Sequence, residues 1–199
     1  MTPRRRLSLA LCLPFASCLP FACRLALALT ASAALASGAH AEVKSAAGDG
    51  FVSVNVRRIE AAPAKVYAAL PEIGRWWNSE HSYSGDAANF SLKAEAGACF
   101  CERWKDGEVE HGRVIMVMRD EVFRLQTALG PLQGRAVNGV LTFQLKPEDG
   151  GKATLLTLTY TVNGASGSAL DKSAPAVDRV LSEQLQRLGS YVETGKPSP

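Results

Sequence analysis

Histidine is scarce in this chain, with three in 199 residues. One of them, His40, falls in the N-terminal leader, so His81 and His111 are the imidazoles left for acid–base work. No Walker loop, GxGxxG, HExxH or GxSxG occurs. That excludes the phosphate cradles, metalloprotease helices and nucleophile elbows those patterns build. Acidic residues are absent before Glu42, and the only charges there are Arg4, Arg5, Arg6 and Arg24. These four create the formal net charge of +3. Without them the 22 basic residues fall to 18, against 19 acidic ones. A basic surface is therefore not supported, and no nucleic-acid partner is expected. Hydrophobic residues make up 47% and charged residues 21%. That is ordinary globular composition, which excludes a multi-span membrane protein or a disordered tail.

Residues 1–41 have the plan of a secretory signal. The triple arginine forms a positive start, 25–35 an apolar core, and Ala39-His40-Ala41 an A-x-A site. Cleavage is expected after Ala41, with a periplasmic or secreted product. A retained anchor is the rival, but Arg24 splits the apolar run below the roughly 18–20 residues a span needs. Cys12, Cys18 and Cys23 raise a lipoprotein reading, and the arginines a weak twin-arginine one. After cleavage no stable membrane span is expected. Only Cys99 and Cys101 would remain, too few for a disulfide framework.

The rest reads as one domain over 51–194, with 42–50 a loose lead-in and 195–199 a tail. Residues 51–59 alternate, with Phe51, Ser53 and Asn55 against Val52, Val54 and Val56, a strand with one apolar face. Pro63 and the spacing of Val66, Ala69, Leu70 and Ile73 predict short helices over 63–70 and 72–77. Strands follow over 89–94, 98–104, 108–118, 122–128, 136–145 and 153–162. Lys105-Asp106-Gly107 is expected as a three-residue hairpin loop. Val177, Val180, Leu181, Leu185, Leu188 and Val192 form the stripe of a closing helix of about five turns. Pro175 would sit in its first turn and Asp178 near its positive end. The class is α+β, a curved antiparallel sheet of about seven strands around one long helix.

This order resembles the START-like superfamily, also called SRPBCC or helix-grip. The similar segments are RRIEAAPAKVYAALPEIGRWW (57–77), CFCERWKDGEVEH (99–111), ALGPLQG (128–134) and LLTLTYTVNG (155–164), with the closing helix. The nearest branch looks like the activator of heat-shock protein 90 ATPase homologues and the polyketide cyclase/dehydrase-like proteins. The resemblance implies a sheet gripping the last helix around an apolar pocket. It does not imply one activity, because a fold hosts many. An exported chain meets no ATP pool, so no ATP-dependent chaperone partner is expected.

The CFCE hairpin carries the densest chemistry. With Trp104 opposite Glu108, Cys101 opposes His111 and Cys99 opposes Arg113. Cys99, Cys101 and His111 would then share one face and could bind zinc or copper. The plainer reading makes both cysteines small buried hydrophobes. A bridge between them looks strained, since same-face neighbours on a strand lie roughly 6.5–7 Å apart. Glu102 and Glu110 would share the opposite face, either as a solvated surface or as paired carboxylates for acid–base work.

Trp76, Trp77, His81 and Tyr83 cluster where the resemblance places the pocket mouth. The pocket candidates are Trp77, His81, Tyr83, Cys101, His111, Met116, Phe143 and Tyr160. No cofactor is expected. The leading expectation is a domain that binds a small hydrophobic molecule: a lipid, isoprenoid or polyketide-like compound. One alternative is a cyclase/dehydrase- or hydrolase-type enzyme with His81 or His111 as base and Glu102 or Tyr83 as acid. Another is an envelope protein-interaction or stress-related module.

Overall fold

A computed structural model of the chain describes residues 40–198. The expected leader lies outside the described residues, apart from its last two positions. The architecture is α+β, as expected: one antiparallel sheet of eight strands and a long C-terminal helix. Strand β1 (His40–Ala47) pairs with β2 (Gly50–Ile59), then helix α1 (Pro63–Ala69) and short 3-10 turns follow. Strands β3 (Phe90–Ser91), β4 (Cys99–Trp104), β5 (Gly107–Met118), β6 (Val122–Thr127), β7 (Asn138–Glu148) and β8 (Ala153–Asn163) form a meander. Strand β2 joins its far side, giving the order β1-β2-β8-β7-β6-β5-β4-β3. Helix α2 (Leu170–Thr194) packs against β1, β2 and β8.

The lead-in expected over 42–50 is corrected: most of it is β1, an edge strand, since its backbone groups find β2. The strand expected over 89–94 shrinks to Phe90–Ser91. The closing helix is longer than expected, 25 residues or about seven turns. Leu170 and Ala174 are buried two turns and one turn before the predicted stripe, continuing the spacing to Asp178. Pro175 therefore lies inside the helix. It faces solvent, where water can serve the carbonyl left without an N–H partner.

The core fills the face of the sheet that carries α2. Phe123, Leu141, Phe143, Leu156, Leu158 and Tyr160 are all buried there. On β2 the face toward α2 is the polar one. Ser53 and Asn55 are buried, and Val52, Val54 and Val56 are half-exposed on the other side. Asp178 makes this arrangement possible. It accepts hydrogen bonds from Ser53 Oγ at 2.6 Å and Asn55 Nδ2 at 3.2 Å. Its role is thus a helix-to-sheet tie rather than the expected dipole partner. Three turns further along α2, Arg57 crosses it at Gly189, where an added Cβ would lie 2.1 Å from the guanidinium Nε. There Arg57 donates to the carbonyl of Gln186 and to Glu193.

Candidate functional site

Cys99 opposes Arg113 as expected, but from Cys101 to the turn the β4–β5 hairpin departs from its expected register by one residue. Trp104 opposes Gly107, so the loop is the pair Lys105-Asp106. Glu102 opposes Val109 and Cys101 opposes Glu110. A bulge follows: Phe100 pairs with Gly112, leaving His111 as the extra residue on β5. Gly112 permits the close approach to β6, because a Cβ there would lie 2.3 Å from the carbonyl oxygen of Gln126.

The side-chain period of a strand is two, so this one-residue slip changes which residues meet. Cys99, Cys101 and His111 do not form a metal cluster. The two cysteines are disulfide-bonded with Cα atoms 5.4 Å apart, and His111 opposes neither. Cystine sulfurs lack the thiolate charge that binds zinc or copper. The expected separation of roughly 6.5–7 Å applies to a regular strand; here the pair sits at the bulge. Among the described residues no group of three His, Cys, Asp or Glu is placed to hold a metal ion.

Glu102 is not on a solvated face. It is fully buried, and its Oε2 lies 3.0 Å from His111 Nε2. The backbone N–H groups of Tyr83 and Ser84 also donate to its carboxylate, at 3.1 and 2.6 Å. Burial alone would raise the Glu102 pKa, but hydrogen bonds from Ser84, Tyr83 and His111 outweigh it and hold the carboxyl below its ordinary value. Glu102 is therefore a carboxylate at neutral pH, which removes it as the expected general acid. His111 is 5% exposed, packed among Phe100, Phe90 and Tyr83 with ring centroids 4.9, 5.1 and 5.7 Å away. Burial pushes its pKa below 6.5, although Glu102 pulls the other way. The imidazole is thus neutral at neutral pH.

The His111 member of this pair forms part of the wall of a half-open cavity of about 710 Å³, while Glu102 is buried and does not line it. The cavity lies between the N-terminal half of α2 and strands β3–β5. Phe90, Phe100 and His111 supply the sheet side, and Ala176, Val177, Val180 and Leu181 the helix side. The volume lies within the range of small-molecule sites. Two loops complete it. One runs from Trp77 to Tyr83 and is tied down at both ends. Trp77 Nε1 donates to the His81 carbonyl at 3.0 Å, and His81 Nε2 meets Glu183 of α2 at 3.1 Å. The other loop brings Leu129, Pro131, Leu132 and Arg135. The Tyr160 hydroxyl clasps that loop from below, donating to the Thr127 carbonyl and accepting from Leu129 N–H. Burial raises its pKa to about 12.

Four of the eight pocket candidates therefore line the cavity: Trp77, His81, Tyr83 and His111. The other four do not. Tyr160 and Phe143 are core, Cys101 is in the disulfide, and Met116 follows a second bulge in β5. Sequence reasoning left Phe90, Phe100 and Arg135 out of the lining, and it put Glu102 on the wrong face. The spacing Phe100-x-Glu102 was a usable signal, since it puts the carboxylate on the face of a core aromatic.

No family model and no curated protein matches the chain. Solved structures do. A conserved protein of unknown function from Enterococcus faecalis is similar over 81% of this chain and 80% of its own, at 14% identity and a TM-score of 0.56. CalU16 from Micromonospora echinospora is similar over 82% and 88%, at 15% identity and a TM-score of 0.54. A protein from Arthrobacter aurescens is similar over 76% and 90%, at 13% identity and a TM-score of 0.51. At these identities the likeness is one of fold: a sheet with a C-terminal helix, compatible with the helix-grip plan.

Proposed function

We propose that this chain is an exported START-like domain that binds a small, mainly hydrophobic molecule between its sheet and α2. The observation that carries this reading is the cavity of about 710 Å³, walled by Trp77, Phe90, Phe100, Leu132, Val177 and Val180. Aromatic and aliphatic walls with a few placed polar groups suit such a ligand. Export rests on the arginine-led, apolar leader and its A-x-A site. Cleavage after Ala41 would leave Glu42 to Ala47 in β1.

Native mass spectrometry of the purified protein tests the binding reading, followed by solvent extraction of whatever is released. An added mass that extracts as an apolar compound is the expected result. A bare protein mass that also takes up no apolar dye overturns it. The contact between Glu102 and His111 favours a second reading, an enzyme of cyclase/dehydrase or hydrolase type with His111 as base. Glu102 would then orient the imidazole rather than donate a proton. That reading fails if His111→Ala leaves turnover of the extracted compound unchanged.

A further inference from the structure

We propose, building on the cavity-binding reading, that the ligand is an alcohol or phenol on an otherwise apolar frame. Its hydroxyl donates a hydrogen bond to His111 Nδ1.

The argument begins with Glu102. Two of its donors are backbone N–H groups, which can only donate. They make its oxygens acceptors, so the third contact must be donated by His111 Nε2–H. A neutral imidazole carries one N–H. With that proton on Nε2, Nδ1 holds a lone pair and accepts. No described residue donates to Nδ1, while His111 itself faces the cavity.

The other polar side chains of the wall are engaged or, like Glu80, exposed to solvent. The Tyr83 hydroxyl donates to the Gly130 carbonyl, His81 meets Glu183, and Arg135 donates to Ser173 and the Ser168 carbonyl. The titratable groups facing His111 are Glu102 from β4 and Tyr83 from the loop; Phe90 and Phe100 cover the rest of the ring. His81 Nδ1 and the Glu80 carboxylate are acceptors on exposed residues, whereas His111 Nδ1 is the acceptor held in buried, apolar surroundings. A ligand without a donor would leave it unpaired, which costs affinity. A ligand with a hydroxyl satisfies it, and the selection falls on that group.

Two measurements on the purified protein test this. The first reads the His111 ring nitrogens by long-range proton–nitrogen NMR at pH 7. Expected is a protonated Nε2 and a bare Nδ1. Two protonated nitrogens, or a protonated Nδ1, overturn the proposal. The second compares affinities for 2-naphthol against 2-methoxynaphthalene, and 4-nonylphenol against 4-nonylanisole. Each phenol should bind about five- to a hundredfold tighter than its ether, and should move the Nδ1 resonance. The preference should vanish in Glu102→Gln/His111→Phe, which removes the acceptor and the buried charge together. Equal binding of phenol and ether overturns the hydroxyl claim and leaves the cavity reading standing. If none of the four probes binds, the cavity reading falls and this inference with it. The NMR result needs no variant, so misfolding of the double variant does not decide the matter.

Discussion

Glu102 and His111 are both out of water, and acid acts on them in the same direction. Glu102 titrates below its ordinary 4.5 in the folded chain. Its stabilising contribution is present above that value and is lost as pH falls through the folded one. His111 titrates below 6.5 when folded. Between 6.5 and its folded value, the unfolded chain takes up a proton that the folded chain does not. Stability therefore falls with pH across that window. Thermal unfolding from pH 8 to pH 4 should show Tm falling once pH drops below 6.5. In the double variant Glu102→Gln/His111→Phe the fall should be smaller. A wild-type Tm that stays flat from pH 7 to pH 5 would contradict the buried neutral imidazole. At this scale the types of residue were legible. Scarce histidine pointed to His81 and His111, and a polar-tipped aromatic cluster pointed to Trp77 and Tyr83. Their partners were not, because Glu102 and Glu183 lie 9 and 102 residues away from the histidines they meet.

The tie between α2 and β2 is an element-scale feature built from three polar residues. Asp178→Ala would leave the Ser53 hydroxyl buried without its acceptor, while Asn55 Nδ2 keeps Ser53 Oγ. Urea unfolding should then show a loss of about 1–3 kcal/mol. Ser53→Ala should cost less, since Asn55 keeps Asp178. A loss under about 0.5 kcal/mol for Asp178→Ala would mean water replaces the tie. The elements themselves were mostly legible, because alternation and 3.6-residue spacing are local properties. Which face of β2 turns inward was not. Its valine face looks like the core side, yet the polar face packs on α2 because Asp178 accepts the Ser53 and Asn55 donors. The length of α2 was also hidden, because Leu170 and Ala174 are too sparse a signal ahead of Pro175.

The described residues form a sheet covered on one side by a helix, with α2 filling the β1–β2 end and the cavity left beside β3–β5. Ala176 stands exposed on α2 at the cavity wall. Ala176→Trp should fill space there without entering the core. The expected outcome is at least about a tenfold loss of affinity for 2-naphthol, roughly 1.4 kcal/mol, with Tm nearly unchanged. Unchanged affinity would place the ligand elsewhere. Among the described residues no helix is long and apolar enough to cross a membrane. The amphipathic stripe of α2 is spent on the sheet and the cavity: Leu181, Leu185, Leu188 and Val192 are buried, and Val177 and Val180 line the cavity.

The sequence by itself determined the α+β class, the hairpin order and the single closing helix, since each follows from the period of neighbouring residues. The register of β4 on β5 was decided only by tertiary structure. Either register satisfies the same local preferences and hydrogen-bonds the same backbone. What separates them is non-local: Phe100 packing on Trp77 and Phe90, and Glu102 reaching the N–H groups of Tyr83 and Ser84. Because a strand turns a side chain over at every residue, that choice of one position put an imidazole of the cavity wall on a buried carboxylate.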